Sequence, residues 1–170
     1  WTWIDSRDVS PSRRSLYFTM LGVCGDQRDA QRLEQMMLSD SRVLKSAAEA
    51  VSAMSVALGG PIGIPVVPEM VAMEERRRQL GFSALVGCYL KLRGVEGMDV
   101  VDEYFLANQD ADYTQVFATC LALRVLGEET DVVPMPRLQK SMRLVLDKPE
   151  FAEQAITDLA RWEDWTVLDR

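Results

Sequence analysis

The apolar residues between Tyr113 and Gly127 recur at the spacing of one helix face. They fall at i, i+3, i+4, i+7 and i+8, which is typical of an amphipathic α-helix packed on a core. Gly127 is predicted to end this helix, because glycine takes the left-handed cap conformation without steric cost. The predicted inward positions are Tyr113, Val116, Phe117, Cys120 and Leu121.

Prolines predict where the next two helices begin. Pro134 and Pro136 favour a helix start, since proline suits the first turn of a helix and disrupts its interior. Pro149 predicts a further helix, which ends near Trp162. The predicted inward residues are Leu138, Met142 and Val145 in the first of these helices, and Phe151, Ala155, Ile156 and Leu159 in the second.

This unit of helix, turn and helix recurs along the chain. The turns are predicted at Gly25, Gly60, Gly94, Gly127 and Glu163, with separations of 35, 34, 33 and 36 residues. We call the helix before each turn first-type and the helix after it second-type. Such short helix pairs bury their apolar faces only by stacking, so the sequence predicts an all-α stack of about five hairpins. The units are expected at residues 13–39, 40–73, 74–109, 110–147 and, truncated, 149–170.

Earlier units repeat the pattern. In the first unit Gly25 closes the first-type helix, and Asp26 is a natural N-cap for the second-type helix. In the third unit Gly94 is the turn, and the second-type helix is expected around residues 100–107. The predicted inward residues are Tyr17, Met20, Leu21, Cys24, Ala30, Leu33 and Met37 in the first unit, and Leu85, Cys88, Tyr89 and Leu92 in the third.

The outward charges of neighbouring second-type helices have opposite signs. Exposed ion pairs stabilise a fold only weakly, so pairing across the stack is expected mainly to fix the register of the units. The acidic set is Asp99, Asp102 and Glu103, and the basic set is Arg137, Lys140 and Arg143.

The stretch Ala50–Pro68 carries no charge over 19 residues, just enough to reach across a bilayer. Gly59, Gly60 and Pro61 break it centrally, and a break exposed to lipid would leave backbone groups unpaired. The sequence therefore predicts a buried helix and a turn, with no transmembrane segment.

The composition disfavours or excludes several kinds of functional site. A formal net charge of −7 disfavours nucleic-acid binding, which needs a basic surface to meet the phosphates. The chain has no histidine, which excludes histidine-dependent triads and Cys/His zinc fingers. Cys24, Cys88 and Cys120 are interpreted as core residues, with a disulfide or a reactive thiol as the alternatives.

The series Asn108, Asp110, Asp112 is like the opening of a calcium loop. Tyr113 stands where such a loop needs glycine, and Thr119 where it needs glutamate, so we predict a loop that caps the next helix. The pair Trp162 and Trp165 is interpreted as packing between units, with a partner anchor as the alternative.

The phrase LGVCGDQRDAQRLEQMM, which contains Gly25 and Asp26, resembles the short bacterial HEAT-like repeat. Gly94 and Gly127 match that pattern only in the glycine, and at the last turn Glu163 stands in place of the glycine. CYLKLRG, GEETDVVP and DLARWEDWTVLDR are similar to stretches of a bacterial HEAT-like family whose activity is not known. The resemblance implies a right-handed α-solenoid of HEAT-like hairpins. Because many members begin with an export signal, it favours a location outside the cytoplasm and leaves a cytoplasmic one open.

The first functional hypothesis is a non-catalytic scaffold that binds a protein partner along its second-type helices. No catalytic residue, cofactor, metal or nucleic-acid partner is predicted. One alternative is a cofactor- or pigment-binding protein of the lyase type, with a pocket lined by Ala50–Pro68; another is a structural subunit of a large assembly. The chain begins without methionine and stops where a helix is due, so we expect a longer protein. The candidate partner-binding residues are Arg28, Arg32, Asp102, Glu103, Arg137, Lys140, Arg143, Trp162 and Trp165.

Overall fold

The computed structural model describes residues 1–5, 9–39 and 68–167, with the backbone alone at residues 3, 5, 11 and 68–80. All regular structure within these ranges is helical, as predicted. The elements are α1 (Thr2–Asp5), α2 (Pro11–Cys24), α3 (residues 27–39), α4 (Pro68–Arg93), α5 (Val95–Val101) with a following π-helical turn (Asp102–Leu106), α6 (Tyr113–Glu129), α7 (Met135–Leu144) with a 3-10 turn (Val145–Asp147), and α8 (Pro149–Arg161) with a 3-10 turn (Trp165–Val167).

Side-chain caps and prolines begin these helices where the sequence predicts them. Asp26 caps α3, because its carboxylate accepts hydrogen bonds from the backbone N–H groups of Arg28 at 2.8 Å and Asp29 at 3.1 Å. Asp112 caps α6 in the same way through the N–H of Thr114 at 2.9 Å, so the predicted capping role of that loop is confirmed. Pro149 is the first residue of α8.

The predicted turns have different outcomes. Gly25 ends α2 and Gly94 separates α4 from α5, as predicted. Glu163 follows α8 with φ of 57°, a left-handed conformation, and Asp164 N–H donates to the carbonyl of Leu159 at 2.9 Å. This is the Schellman motif that usually carries glycine. Gly60 lies outside the described residues.

Gly127 does not end α6, so that prediction is wrong. The helix continues to Glu129, and the N–H of Thr130 donates to the carbonyl of Leu126. The glycine is instead the place where the ring of Trp162 approaches the helix. A Cβ atom on Gly127 would lie 3.1 Å from that ring.

The first-type helices α2, α4, α6 and α8 lie side by side and run in the same direction. Gly22 and Gly25 of α2 lie against Cys88 and Leu92 of α4, and Gly94, after α4, lies near Val132, after α6. Between α6 and α8 the ion pairs Arg124–Asp158 and Glu128–Arg161 join residues 34 and 33 positions apart. The spacing of the α6–α8 contacts therefore matches the period of the sequence.

Two features of α4 differ from the expected units. It begins at Pro68, so one helix runs through the boundary expected between residues 73 and 74. Its contact with α2 joins residues separated by twice the period, as in Gly22 against Cys88. Thus α2 packs directly on α4, although the expected unit 40–73 lies between them in sequence.

The second-type helices α3 and α7 pack against other elements of the chain. α7 packs against the π-helical turn after α5, and α3 meets α4 through the hydrogen bond from Tyr89 Oη to Glu34 at 2.9 Å. The inward residues predicted for these helices are buried. They are Ala30, Leu33 and Met37 in α3, and Leu138, Met142 and Val145 in and after α7.

Several inward predictions for the first-type helices are wrong. In α2 the buried residue is Phe18, whereas Met20 is 57% exposed and Cys24 is also exposed. Both sides of α2 are apolar, so the periodicity does not decide which side packs on α4. Tyr113 and Ile156 are exposed as well, because each lies at the margin of its helix face, and Tyr113 stacks on Phe151 with ring centroids 4.6 Å apart.

Candidate functional site

A groove lies between the first-type helices α2, α4 and α6. Its volume is about 310 Å³, and its lining is mostly apolar. The floor comes from α4, one wall from α2 and the other from α6. The lining residues are Phe18 and Thr19 of α2, Ser83, Ala84, Gly87, Cys88 and Lys91 of α4, and Leu121, Ala122, Val125, Leu126 and Glu129 of α6.

The groove exists because α4 presents small side chains between two helices that present larger ones. Ser83, Ala84, Gly87 and Cys88 occupy positions i, i+1, i+4 and i+5, which lie on one face of a helix. A Cβ atom on Gly87 would meet no atom within 4 Å, so the space above this glycine is open. A strip of small residues flanked by ridges is the surface into which another helix packs.

The groove has distinct ends. Lys91 and Glu129 line one end, near the C-termini of α4 and α6, and Ser83 and Leu121 line the other. The floor residue Cys88 is buried, and burial raises the pKa of its thiol to about 12. Since the thiolate is the nucleophilic form, this cysteine contributes packing and not reactivity at neutral pH.

Beside the groove lies an exposed apolar strip on α2, which we call the α2 ridge and define as Leu16, Met20 and Val23. These side chains are 58%, 57% and 82% exposed. The spacing i, i+4, i+7 puts them in one line along the helix. Thr19, between them in sequence, lines the groove, so ridge and groove are adjacent. Exposed apolar surface of this kind is a candidate interaction site.

Sequence reasoning missed both the ridge and the groove. The signal for the groove is the run of small residues in α4 at helical spacing, of which only Cys88 was predicted to face inward. The signal for the ridge was the second apolar line of α2, at Leu16 and Val23.

The second-type surface proposed from the sequence is largely occupied by ion pairs within the stack. Arg137 contacts Asp99 and Asp102 at 2.8 Å each, so acidic and basic second-type helices pair as predicted. Arg143 contacts the buried Asp164 at 2.7 Å. These cations are therefore engaged by their own chain.

The other sequence-predicted residues are spread over different places. The guanidinium of Arg32 lies 4.4 Å from the ring centroid of Trp1, at the α1 end of the molecule. Trp162 is buried against Gly127 of α6, whereas Trp165, the other member of the pair, is exposed. The remaining residues are exposed: Arg28, Glu103 and Lys140.

Buried carboxylates lie between α6, α7 and α8. Asp158 is fully buried and accepts two hydrogen bonds of 2.8 Å from Arg124. These bonds raise the pKa of Arg124. For Asp164, burial raises the pKa, but hydrogen bonds from Thr166 and Arg143 outweigh it and leave the pKa below its ordinary value. These charges hold units together, and they do not line the groove.

Comparison of the chain with protein-family models, curated proteins and solved structures found no match. Among residues 1–5, 9–39 and 68–167, no helix combines the length and the apolar character needed to cross a bilayer. The same residues contain no group of three or more Cys, Asp or Glu side chains placed to hold a metal ion.

Proposed function

We propose that this chain is a non-catalytic scaffold of HEAT-like helical hairpins that binds protein in the groove across α2, α4 and α6. The observation that carries the proposal is the groove itself, with its open glycine at position 87 and its apolar walls. Helix-in-groove recognition uses a surface of this kind, and apolar residues at successive helical turns supply the anchors.

The proposal includes a right-handed α-solenoid as the architecture. Its support is the agreement between the sequence period and the contact spacing, since Arg124 meets Asp158 34 residues later. Parallel first-type helices on one side and second-type helices on the other are the layers expected of stacked hairpins. HEAT-like membership is proposed on the residues that resemble that repeat, around Gly25 and Asp26.

The groove is favoured over the second-type surface for an electrostatic reason. Arg137 and Arg143 already contact carboxylates of their own chain, so a partner would have to replace those ion pairs. The groove walls are apolar, so covering them lowers the free energy by removing apolar surface from water. Arg28, Glu103, Lys140 and Trp165 remain a second candidate surface.

Photo-cross-linking in the source cells distinguishes the two surfaces. A photoreactive residue replaces Val125, on the groove wall, or Tyr104, in the π-helical turn; both side chains are 40% exposed in the native chain. We expect cross-linked protein from position 125 and much less from position 104. The reverse result would move the binding site to the second-type helices, and no adduct at either position would count against a scaffold.

Filling the groove provides the matched control. Gly87→Leu places a side chain in the groove, whereas Gly81→Leu lies on α4 outside it, and neither added Cβ meets an atom within 4 Å. We expect Gly87→Leu to abolish the adduct at position 125 and Gly81→Leu to preserve it. Equal yields from the two variants would show that the groove is not the binding site.

A cofactor- or pigment-binding protein is the second candidate, favoured by the volume of the groove. About 310 Å³ reaches the lower end of the range for small-molecule sites. Residues 50–67 of the Ala50–Pro68 stretch proposed to line such a pocket lie outside the described residues. Intact-mass spectrometry and visible absorption of protein purified from its source test this candidate, which requires a stoichiometric small molecule that Gly87→Leu releases.

A further inference from the structure

We propose that the occupant of the groove is the α2 ridge of a second copy of this chain, in a two-fold symmetric dimer. This inference rests on the proposed function, because it names the partner of the same groove. It requires that ridge and groove match in length, symmetry and charge.

The lengths match. From Leu16 to Val23 the ridge rises through seven residues, and from Ser83 to Lys91 the groove floor rises through eight. At the helical rise of 1.5 Å per residue these spans are about 10 Å and about 12 Å. All three ridge side chains therefore fit within one groove.

The positions of ridge and groove suit a two-fold axis. The ridge lies directly beside the groove of its own copy, because Thr19 of α2 forms part of the wall. A two-fold axis perpendicular to the helices places each ridge in the groove of the other copy, with α2 antiparallel to α4 of that copy. Both ridges and both grooves are then covered. A two-fold axis along the helices would also fill both grooves, but with α2 parallel to α4 of the other copy, so the disulfide test below decides between the two orientations.

The antiparallel arrangement brings one pair of opposite charges together at the rim. The N-terminal end of α2 then lies over the groove end lined by Lys91 and Glu129. Arg13, an exposed residue three positions before Leu16, comes close to Glu129 of the other copy. Opposite charges at the rim steer association and set its orientation.

Sedimentation velocity of the full chain at micromolar concentrations tests the dimer. We expect Val23→Glu to weaken association by roughly 30-fold or more, the effect of losing an interface hot spot. Since Val23 is 82% exposed, the substitution leaves the folded monomer intact, which circular dichroism verifies. Gly87→Leu should also give monomers, and Gly81→Leu should dimerise like the native chain.

A disulfide tests the antiparallel orientation. Within one copy, the C-terminal end of α2 lies beside Leu92, more than one helical turn from Ala84. In the dimer, the exposed Cys24 comes close to Ala84 of the other copy. We therefore expect Ala84→Cys to form a covalent dimer under mild oxidation, and Ala84→Cys with Cys24→Ser to remain monomeric.

Several results would overturn the inference. One is a native chain that is monomeric at all concentrations, and another is a dimer that Val23→Glu and Gly87→Leu leave unchanged. A monomer whose position 125 still cross-links to a different protein would refute the dimer and keep the scaffold. A monomer without any adduct would refute both.

Discussion

Replacing Gly127 by alanine tests why this glycine lies inside α6. Two opposite effects are expected. Alanine stabilises a helix interior by about 0.5–1 kcal/mol relative to glycine. The added methyl group, however, would lie 3.1 Å from Cζ2 of Trp162 and 3.2 Å from Cε2 and Nε1 of the same ring.

The second effect is expected to be larger. Trp162 is buried, and its backbone carbonyl accepts a hydrogen bond from the side chain of Gln139 at 2.9 Å, so the ring has little room to withdraw. Overpacking of this kind costs about 1–3 kcal/mol. The net expectation for Gly127→Ala is a loss of about 0–2.5 kcal/mol in the free energy of unfolding.

Urea unfolding followed by circular dichroism measures this change, with two matched controls. Gly81→Ala and Gly87→Ala also lie inside a helix, but their methyl groups meet no atom within 4 Å. Each is expected to stabilise the chain by about 0.5–1 kcal/mol. Gly127→Ala must therefore differ from both in sign.

A double-mutant cycle identifies the cause of that difference. In a Trp162→Leu background the ring is absent, so Gly127→Ala should become neutral or stabilising. If Gly127→Ala instead stabilises the native chain as Gly81→Ala does, the close approach of Trp162 does not explain the glycine. If the cost persists in the Trp162→Leu background, another contact must be responsible.

Three further predictions concern groups that the structure places in unusual surroundings. Arg124→Met leaves the buried carboxylate of Asp158 without its main partner and should destabilise the chain by about 3 kcal/mol. The thermal midpoint should fall accordingly. Adding Asp158→Leu removes the unpaired carboxylate and should largely restore the midpoint. Glu163 has a left-handed backbone conformation that glycine adopts without strain, so Glu163→Gly should stabilise the chain by about 1 kcal/mol. A loss of stability would show that the positive φ of Glu163 is not strained. Burial raises the pKa values of Cys88 and Cys120 from the ordinary 9.0 to about 12, so the unfolded thiols ionise first and stability should fall as the pH rises from 9 to 12. Between pH 9 and 12 the urea midpoint of the double variant Cys88→Ala with Cys120→Ala should fall less than that of the native chain. An equal fall in both would refute the contribution of the thiols.

Local signals in the sequence predicted several helix starts correctly, whereas the helix predicted around residues 100–107 begins earlier, at Val95. Asp26 and Asp112 cap helices because a carboxylate at that position reaches the unpaired N–H groups of the next turn, which depends on neighbouring residues alone. Opposite charges on neighbouring second-type helices likewise predicted the ion pairs of Arg137 with Asp99 and Asp102. In each case the sequence contains both partners at a known separation.

The role of Gly127 could not be predicted in the same way. A glycine near the end of an amphipathic pattern is usually a cap, and the local sequence does not distinguish a cap from a close approach. The distinction depends on Trp162, which lies 35 residues later and on another helix. Glu163 shows the converse case, since the left-handed turn forms there without glycine.

The packing of α2 explains why the groove could not be predicted from the sequence. Two apolar lines run along this helix, one through Phe18 and the other through the α2 ridge, and periodicity gives them equal weight. Phe18 is buried because α2 packs on α4, a contact across two sequence periods that no local pattern reveals. Burying one line leaves Leu16, Met20 and Val23 in solvent beside a groove of similar length. In an isolated chain the α2 ridge and the groove both expose apolar surface to water, whereas in a two-fold dimer each ridge is covered by the groove of the other copy. The sedimentation of Val23→Glu therefore tests whether this packing of α2 is completed by a second copy.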